Sequence, residues 1–315
     1  MWQMPTVPSF HVTREQRRIG WDRTAPPVLA VPSGAELTID VIDSSGGQLT
    51  DTSTLEDVAN IDFARVDPFH GPVYVEGAHP GDVLQIDLLE FVPKGYGWTA
   101  NMPGFGLLAD EFPDPWFHVW ELGETRAKFV KGISVPIEPF CGVIGVARNE
   151  PGNLDVIPPR RTGGNLDSKQ LQAGTTLYLP VEVEGALFGL GDTHAAQGDG
   201  EVCGNAIEAP MDVTLRLTVR RDFTIETPEY EFVRPLERPS AAAAGYYATT
   251  GIGPDLFEAT RDAIRHMIDK LGRSHGLDRY EAYALCSTAV DLKISEVVDQ
   301  PNWVVGAFLP RDLFA

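Results

Sequence analysis

The segment GAELTIDVID (34–43) has two related copies further along the chain, GDVLQIDLLE (81–90) and GTTLYLPVEV (174–183). Each copy opens with a glycine and then places apolar residues at alternate positions, which are Leu37 and Ile39, Leu84 and Ile86, and Leu177 and Leu179. Alternation with a period of two puts these side chains on one face of a β-strand, and a preceding glycine is typical of a turn. The three copies therefore predict related strand–turn units of a sheet with one buried face.

The residues around these copies extend the same pattern over the first 240 positions. The 31 glycines and 25 prolines of the chain punctuate short runs that are rich in Val, Ile, Leu and Tyr. Turn signals at spacings of about 8–12 residues between such runs are typical of all-β sandwiches and barrels. We therefore predict a mainly β fold, in which residues 1–240 form a β-sandwich or barrel core of antiparallel sheets that carries the functional loop.

The last quarter of the chain, residues 241–315, has a helical pattern instead. One stripe of a predicted helix consists of Leu256, Ala259, Ala263, Met267 and Leu271. Such a stripe indicates an amphipathic helix, and Gly272 is placed to end it. A second helix is predicted from Asp278 and Glu281, whose spacing fits a capping box. This part is predicted to be a smaller helical or α+β unit.

The charge of the chain narrows the classes of partner. It has 45 acidic and 25 basic residues, for a net charge of −20. Such a field repels phosphate backbones and anionic membrane surfaces, so the sequence predicts neither nucleic-acid nor membrane binding.

Three widely spaced cysteines argue against a disulfide framework, and no run approaches the roughly 18 apolar residues of a membrane span. We expect a cytoplasmic protein with a small-molecule partner or a metal ion.

The segment GDTHAAQGDGEVCGNAIE (191–208) concentrates reactive side chains in one short stretch. If the residues before it enter as a strand, Asp192 and His194 are two positions apart and share a face. A carboxylate and an imidazole on one face are suitable ligands for a divalent metal such as Zn²⁺. The same spacing places the carboxylate of Glu201 beside the thiol of Cys203. A solvated acidic hairpin is the alternative interpretation.

Glycines in this segment suggest how it meets a ligand. Gly198, Gly200 and Gly204 would let the backbone turn sharply and approach a substrate closely. Their backbone amides are expected to stabilise an oxyanion.

Two further stretches add candidate site residues. Asn165 and Asp167 follow two glycines in GGNLD (163–167), where they form either an Asx-type turn or, through Asp167, a third oxygen ligand for the metal. Trp116 and His118 lie in the aromatic run PWFHVW (115–120). They are expected either to pack in the core or to wall a substrate pocket.

The segment 191–208 resembles the signature of the acetamidase/formamidase family. Other stretches agree in order along the chain: SSGGQL (44–49), GPVYVEGAHPGDVL (71–84), GWTANMPGFGLLADEFPDP (97–115), GGNLD (163–167) and TTGIGPDLFEATRDAI (249–264). The resemblance covers most of residues 25–310, and it implies a metal-dependent hydrolase of short carboxamides with a β-sandwich or barrel core. The sequence departs from the pattern at Arg18, in place of the histidine of a His-x-x-Trp motif, and at Asn205, in place of threonine. Both departures leave linear and cyclic amides open as substrates.

A mechanism follows from these residues. Asp167, Asp192 and His194 are predicted to hold Zn²⁺, with Ca²⁺ as the alternative, and Glu201 is predicted to be the general acid–base. Glu208 and Asp199 are the next acids to test. Substrate contacts are expected from Asn165, Trp116, His118 and the three glycines, and the enzyme is expected to be a homo-oligomer that releases ammonia and a carboxylic acid.

Two alternative interpretations of these residues stay open at this point. One is a metal-free amidase in which Cys203 is the nucleophile and Glu201 its base. The other is a non-enzymatic β-sandwich module that holds Ca²⁺ through Asp192, Asp199 and Glu201.

Overall fold

The computed structural model describes residues 10–233 and 244–314, and these residues are mainly β. The strands are β1 (Phe10–Val12), β2 (Arg17–Arg18), β3 (Leu29–Val31), β4 (Ala35–Val41), β5 (Phe69–Val75), β6 (Val83–Pro93), β7 (Tyr96–Asn101), β8 (Trp116–Glu121), β9 (Arg126–Lys128), β10 (Ser134–Pro136), β11 (Phe140–Val146), β12 (Gly163–Asn165), β13 (Thr176–Pro180), β14 (Phe188–His194), β15 (Met211–Arg220), β16 (Glu229–Glu231), β17 (Tyr246–Gly253), β18 (Asp291–Glu296) and β19 (Trp303–Pro310). The helices are α1 (Leu55–Ala59), α2 (Leu256–His275) and α3 (Arg279–Ala289), with 3₁₀ turns at Phe63–Arg65, Val130–Gly132 and Arg311–Phe314.

The three glycine-led copies belong to one six-stranded sheet, ordered β1–β4–β15–β6–β13–β16. They supply β4, β6 and β13, and Leu177 of β13 lies opposite Ile86 of β6. The six alternating apolar side chains of the copies are all buried, as predicted. Gly34, Gly81 and Gly174 all have φ between +89° and +97°, a conformation that other residues rarely adopt. The repeated pattern therefore encodes both the strand and the turn that starts it.

The second large sheet has the order β12–β11–β14–β5–β2, with β3 parallel to β5. Apolar side chains of both sheets belong to one continuous buried cluster, so the two sheets enclose a shared core. Most pairs are antiparallel, and β1–β4 is a second parallel pair. The mainly β sandwich is confirmed, and the described part of the chain contains no closed barrel.

The C-terminal residues 244–314 combine helices with a three-stranded sheet, β17–β19–β18, as the α+β prediction states. Buried side chains of α2 and α3, such as Met267 and Tyr283, join the same cluster as the sandwich core. The predicted boundary between residues 240 and 241 lies outside the described residues. Within residues 10–233 and 244–314, no helix has the length and apolarity needed to cross a bilayer.

The end of α2 differs from the sequence prediction. The predicted stripe is correct, since Ala259, Ala263, Met267 and Leu271 are buried and Leu256 packs against them. However, α2 continues through Gly272 and ends at Gly276, whose φ of +64° and N–H bond to the Gly272 carbonyl make the left-handed cap. The prediction chose the first of two glycines one turn apart. The capping box of α3 is as predicted: the Asp278 carboxylate accepts from the N–H of Glu281 at 2.9 Å.

This assignment of the two glycines gives a stability prediction. Gly272→Ala is expected to raise the free energy of unfolding by about 0.5–1 kcal/mol, because an interior helical glycine has excess conformational entropy in the unfolded chain. A Cβ at this position would meet only the Leu277 carbonyl oxygen, at 3.5 Å. Gly276→Ala is the matched control and is expected to lower stability by about 1 kcal/mol, since alanine is strained at positive φ. Urea unfolding of both variants tests this, and a destabilised Gly272→Ala would contradict it.

Candidate active site

Strand β14 carries Asp192 and His194 at its C-terminal end. Their spacing of two places both on one face, and His194 Nε2 lies 3.0 Å from Asp192 Oδ1. Both side chains are buried, as is every residue of β14. A buried imidazole beside a carboxylate is costly to desolvate, so the pair indicates a site rather than a packing element.

Glu208 completes a first group around the imidazole. Its Oε2 lies 3.2 Å from His194 Nε2, and it accepts a 2.8 Å hydrogen bond from the Ser44 hydroxyl. Its Oε1 accepts from the backbone N–H of Ala206 at 2.8 Å. Burial alone would raise the pKa of Glu208, but the charge of His194 and these hydrogen bonds lower it below its usual value.

A second group shares the same imidazole. Ligand atoms of Asp167, His194 and Glu201 lie within 4.8 Å of one another, as do those of Asp192, His194 and Glu208. Glu201 Oε1 is 4.0 Å from His194 Nε2. Burial raises the pKa of Asp67, and the nearby Asp192, Glu208 and Asp167 raise it further. Five carboxyl groups therefore surround one histidine, and we call this set the acidic cluster.

The backbone of the acidic cluster is strained. Four of its members have left-handed φ values: Asp67 (51°), Asp167 (45°), Asp192 (48°) and Glu201 (44°). For a non-glycine residue this conformation costs of order 1–3 kcal/mol, and it is retained mainly at functional sites. The chain thus holds its acidic side chains in place at the expense of stability.

Gly142 of β11 leaves a small space at the centre of the cluster. The pairing of β11 with β14 places Gly142 across from Asp192. A Cβ on Gly142 would lie 2.5 Å from both Asp167 Oδ1 and Asp192 Oδ2, and 2.9 Å from His194 Cε1. Asp167 Oδ1 is buried and has no hydrogen-bond partner among the described residues. Two carboxylate oxygens and an imidazole therefore border a space that only glycine leaves open.

Gln197 fixes the orientation of the imidazole. Its side-chain oxygen is 2.9 Å from His194 Nδ1, and its amide nitrogen donates to the Asp167 carbonyl at 2.8 Å. This assigns the proton of the ring to Nδ1 and turns Nε2 toward the carboxylates. A fixed tautomer of this kind is typical of a histidine that binds a metal.

Crowding of like charges in a poorly hydrated space changes the proton affinities of the cluster. Burial and then the neighbouring Asp192 raise the pKa of Asp167 to about 7, and burial raises that of Asp192 to about 6. The pKa of Glu201 is raised well above its usual value by burial and by Asp167. Burial would lower the pKa of His194, but Asp192 and Glu208 raise it well above its ordinary value. A bound cation would relieve this repulsion.

All five carboxyl groups of the acidic cluster line a cavity of about 690 Å³. Of the residues predicted to contact substrate, Asn165, Gly200 and Gly204 line this cavity. The side-chain nitrogen of Asn165 donates to the Ile157 carbonyl at 3.1 Å, while its buried oxygen has no partner among the described residues. That oxygen is a suitable acceptor for a substrate N–H.

Trp116, His118 and Gly198 do not line this cavity. Trp116 and His118 pack with Phe129, and the ring of His118 meets the edge of Trp120 at 4.9 Å, so they form the aromatic core that was the alternative interpretation. Gly198 is pressed against the backbone of α3, where a Cβ would lie 2.1 Å from the Val290 carbonyl oxygen. We assign these three residues no contact with substrate.

The predicted pairing of Glu201 with Cys203 is wrong in its geometry, because β14 ends at His194 and the following residues form turns. Glu201 lines the cavity, whereas Cys203 is buried behind the loop, with its thiol near the Ala100 and Asn205 carbonyls. Burial raises the pKa of the Cys203 thiol to about 12. A thiol in this environment is not activated as a nucleophile.

The C-terminal part holds the loop in place. Ser287 of α3 accepts from the Cys203 N–H at 3.0 Å, and its carbonyl accepts from the Gly198 N–H at 2.8 Å. The N–H groups of Glu201 and Gly204 bond to carbonyls within the loop. The amides of these four residues are therefore engaged with protein acceptors, and an oxyanion role for the rest of the turn stays a prediction.

Asp199 belongs to a separate ion pair. Its carboxylate lies 3.4 Å from Lys169, which also pairs with Asp291 in a buried contact. Asp199 does not line the cavity, so it does not join Asp192 and Glu201 as the Ca²⁺ alternative requires.

Sequence reasoning missed Asp67, Gly142, Ser44 and Gln197. Asp67 lies in the turn ARVDPFH (64–70), which carries no motif and gave no signal. Ser44 belongs to SSGGQL (44–49), one of the stretches on which the family resemblance rests. Gln197 lies inside the reactive segment itself, between the glycines and His194.

The raised proton affinities predict a pH-dependent stability in the presence of a chelator. Folded Asp167 and Asp192 keep protons that the unfolded chain releases near pH 4, so the free energy of unfolding falls as the pH rises from about 4 to about 7. One such proton changes stability by up to about 1.4 kcal/mol per pH unit. Asp167→Asn should flatten the slope measured by denaturant unfolding between pH 5 and 7. Asp222→Asn, at an exposed carboxylate with a lowered pKa, is the control, and equal slopes in wild type and Asp167→Asn would contradict the prediction.

Comparison with known proteins identifies the family of this chain. The model of the Acetamidase/Formamidase family matches residues 9–153 and 150–315. The chain is 26% identical to a formamidase of Methylophilus methylotrophus, over 93% of this chain and 88% of that protein. Among solved structures, it matches an acetamidase from Bacillus halodurans with a TM-score of 0.68 at 31% identity, over 97% of this chain and 98% of that one. It matches a gamma lactamase from Delftia acidovorans with a TM-score of 0.87 at 26% identity, over 95% and 89% of the two chains. The chain belongs to the acetamidase/formamidase family and is an amidohydrolase that acts on linear amides.

Proposed function

We propose that this enzyme hydrolyses small neutral carboxamides to ammonia and a carboxylic acid with a divalent cation bound at the acidic cluster. The observation that carries this proposal is the space in front of Gly142, which Asp167 Oδ1, Asp192 Oδ2 and His194 border. The unpartnered Asp167 oxygen and the surplus of carboxylates fit a cation. Asp167, Asp192 and His194 would hold it, with Glu208 as a further donor.

The donor set favours Zn²⁺ over Ca²⁺. An imidazole whose other nitrogen is held by a hydrogen bond is a preferred Zn²⁺ ligand, whereas Ca²⁺ sites are built from oxygen donors. Bound Zn²⁺ supplies Lewis acidity to an amide carbonyl and to water.

Glu201 is the general acid–base in this proposal. It lines the cavity and its pKa is raised well above the usual value by burial, so it takes up a proton more readily than an exposed glutamate. It would take a proton from the attacking water and give it to the departing nitrogen as the C–N bond breaks. Asn165 would orient the substrate by accepting an N–H hydrogen bond at its free side-chain oxygen.

Cyclic amides are a second candidate substrate class, and the likeness to the gamma lactamase supports testing them. Ammonia release from linear amides, and ring opening of a five-membered lactam, distinguish the two with the same preparation. A metal-free mechanism through Cys203 has less support, because its thiol is buried away from the cavity.

His194→Ala is expected to abolish metal binding and to lower kcat/KM for acetamide to the background rate. The imidazole belongs to both ligand groups, so its loss removes a donor from each. Metal content by mass spectrometry and ammonia release are measured on the same preparation. Stoichiometric metal and wild-type turnover in His194→Ala would contradict the proposed metal site. Circular dichroism verifies that the variant is folded.

Glu201→Gln is expected to retain the metal while kcat falls by roughly 10²–10⁴-fold, because glutamine keeps the shape of the side chain but cannot accept a proton. Cys203→Ala is the matched control two residues away, and it should retain most of the activity. If Glu201 were instead a ligand, the metal content of Glu201→Gln would fall in proportion to activity. Normal metal with normal kcat would remove Glu201 from the mechanism.

A further inference from the structure

The cavity of the active site is larger and more apolar than the smallest carboxamides need. Its volume of about 690 Å³ lies in the range of pockets that bury drug-sized ligands, roughly 300–1,000 Å³. Formamide and acetamide would leave most of this space to water. The dimensions of the cavity therefore point to a substrate with a substantial acyl group.

The acidic and the apolar lining residues of the cavity differ in exposure. The carboxylates of the acidic cluster are buried or only partly exposed, whereas Phe63, Phe105, Ile157 and Phe257 are between 43% and 68% exposed, which places these four residues toward the mouth. None of the described lining residues is a lysine, arginine or histidine. The carboxylates and the absence of a lining cation would repel a substrate that carries its own carboxylate.

The apolar residues at the mouth are not explained by packing of the core. Phe63 is 68% exposed on a short 3₁₀ turn, and Phe257 is 60% exposed at the start of α2, outside its buried stripe. Phe105 is 46% exposed, and its ring lies on Gly204, where a Cβ would come within 2.4 Å. Three separate segments thus each place an exposed phenyl ring on the same cavity, as an apolar ligand requires.

We infer that the preferred substrates are neutral primary carboxamides with an apolar acyl group, either an aliphatic chain of several carbons or an arylalkyl group. The carboxamide lies at the acidic cluster and the acyl group extends along the walls to Phe63, Phe105 and Phe257, which set the specificity. This inference rests on the proposed function, since it uses the acidic cluster as the reacting end.

The test is a series of kcat/KM values, measured by ammonia release, for formamide, acetamide, butyramide, hexanamide and phenylacetamide. Each added methylene is expected to raise kcat/KM by about threefold to fourfold, the gain from burying a CH₂ group. Succinamate, which is similar in size to hexanamide but anionic, is expected to be at least about tenfold poorer than hexanamide because of the negative cavity.

Two variants test whether the preference for longer acyl groups depends on the phenylalanines at the mouth of the cavity. Phe257→Ala and Phe63→Ala are each expected to lower the ratio of kcat/KM for hexanamide to that for acetamide by about fivefold to tenfold, since each removes a large apolar contact. Ile294→Ala is the matched control, because Ile294 is 59% exposed on β18 and does not line the cavity. It should leave the ratio unchanged.

The outcomes separate this inference from the proposed function. Hydrolysis that is fastest with formamide or acetamide, with a ratio that neither phenylalanine variant changes, overturns the inference and leaves the amidase intact. Ammonia release from none of the amides overturns the proposed function, and the inference with it. Rising kcat/KM with chain length, lost in the phenylalanine variants alone, supports both.

Discussion

Electrostatic repulsion among five carboxyl groups around one imidazole is the constraint on which the rest of this structure depends. Asp192 and Glu208 are buried, and Asp67, Asp167 and Glu201 are only partly exposed to the cavity. Burial raises the pKa of four of the five, and neighbouring carboxylates raise these values further, because like charges at such distances cannot all ionise without a counter-charge. The arrangement is unfavourable for the folded state, and surrounding elements must hold it together.

Two parts of the fold supply that support. The central strands β11 and β14 are buried along their whole length, so His194 and Asp192 stand on the most rigid part of the sandwich. On the other side, α3 holds the loop through Ser287, and Tyr283 accepts a hydrogen bond from the Leu108 N–H while donating to the Val202 carbonyl. Sites on rigid elements keep their geometry better than sites on free loops. The C-terminal part thus supports the active site through the side chains of Ser287 and Tyr283, which hydrogen-bond to the backbone of the segments beside the cavity.

The sequence predicts the fold and part of the site. What it predicts depends on local patterns, whereas the rest depends on contacts between distant segments. Period-two alternation in the copies that form β4, β6 and β13 is a local signal, and so is the spacing of Asp192 and His194. Asp67 and Gly142 come to the cluster through long-range pairing of strands, which no local pattern encodes. The pairing of Glu201 with Cys203 rests on the assumption that the chain stays extended past His194, where β14 ends. Turns dominated by glycine do not keep the alternation that this assumption needs.

The two glutamates of the acidic cluster lie in different environments, which shift the pKa values of their carboxyl groups in opposite directions. Glu208 accepts from the Ser44 hydroxyl and the Ala206 N–H and lies against His194, so its charged form is stabilised and its pKa is lowered. Glu201 has Asp167 beside it, and its pKa is raised. A group whose charge is well stabilised is a poor proton acceptor and a good ligand, while a destabilised carboxylate accepts protons readily. These environments support the proposed roles, in which Glu208 keeps a fixed negative charge as a ligand and Glu201 moves the proton.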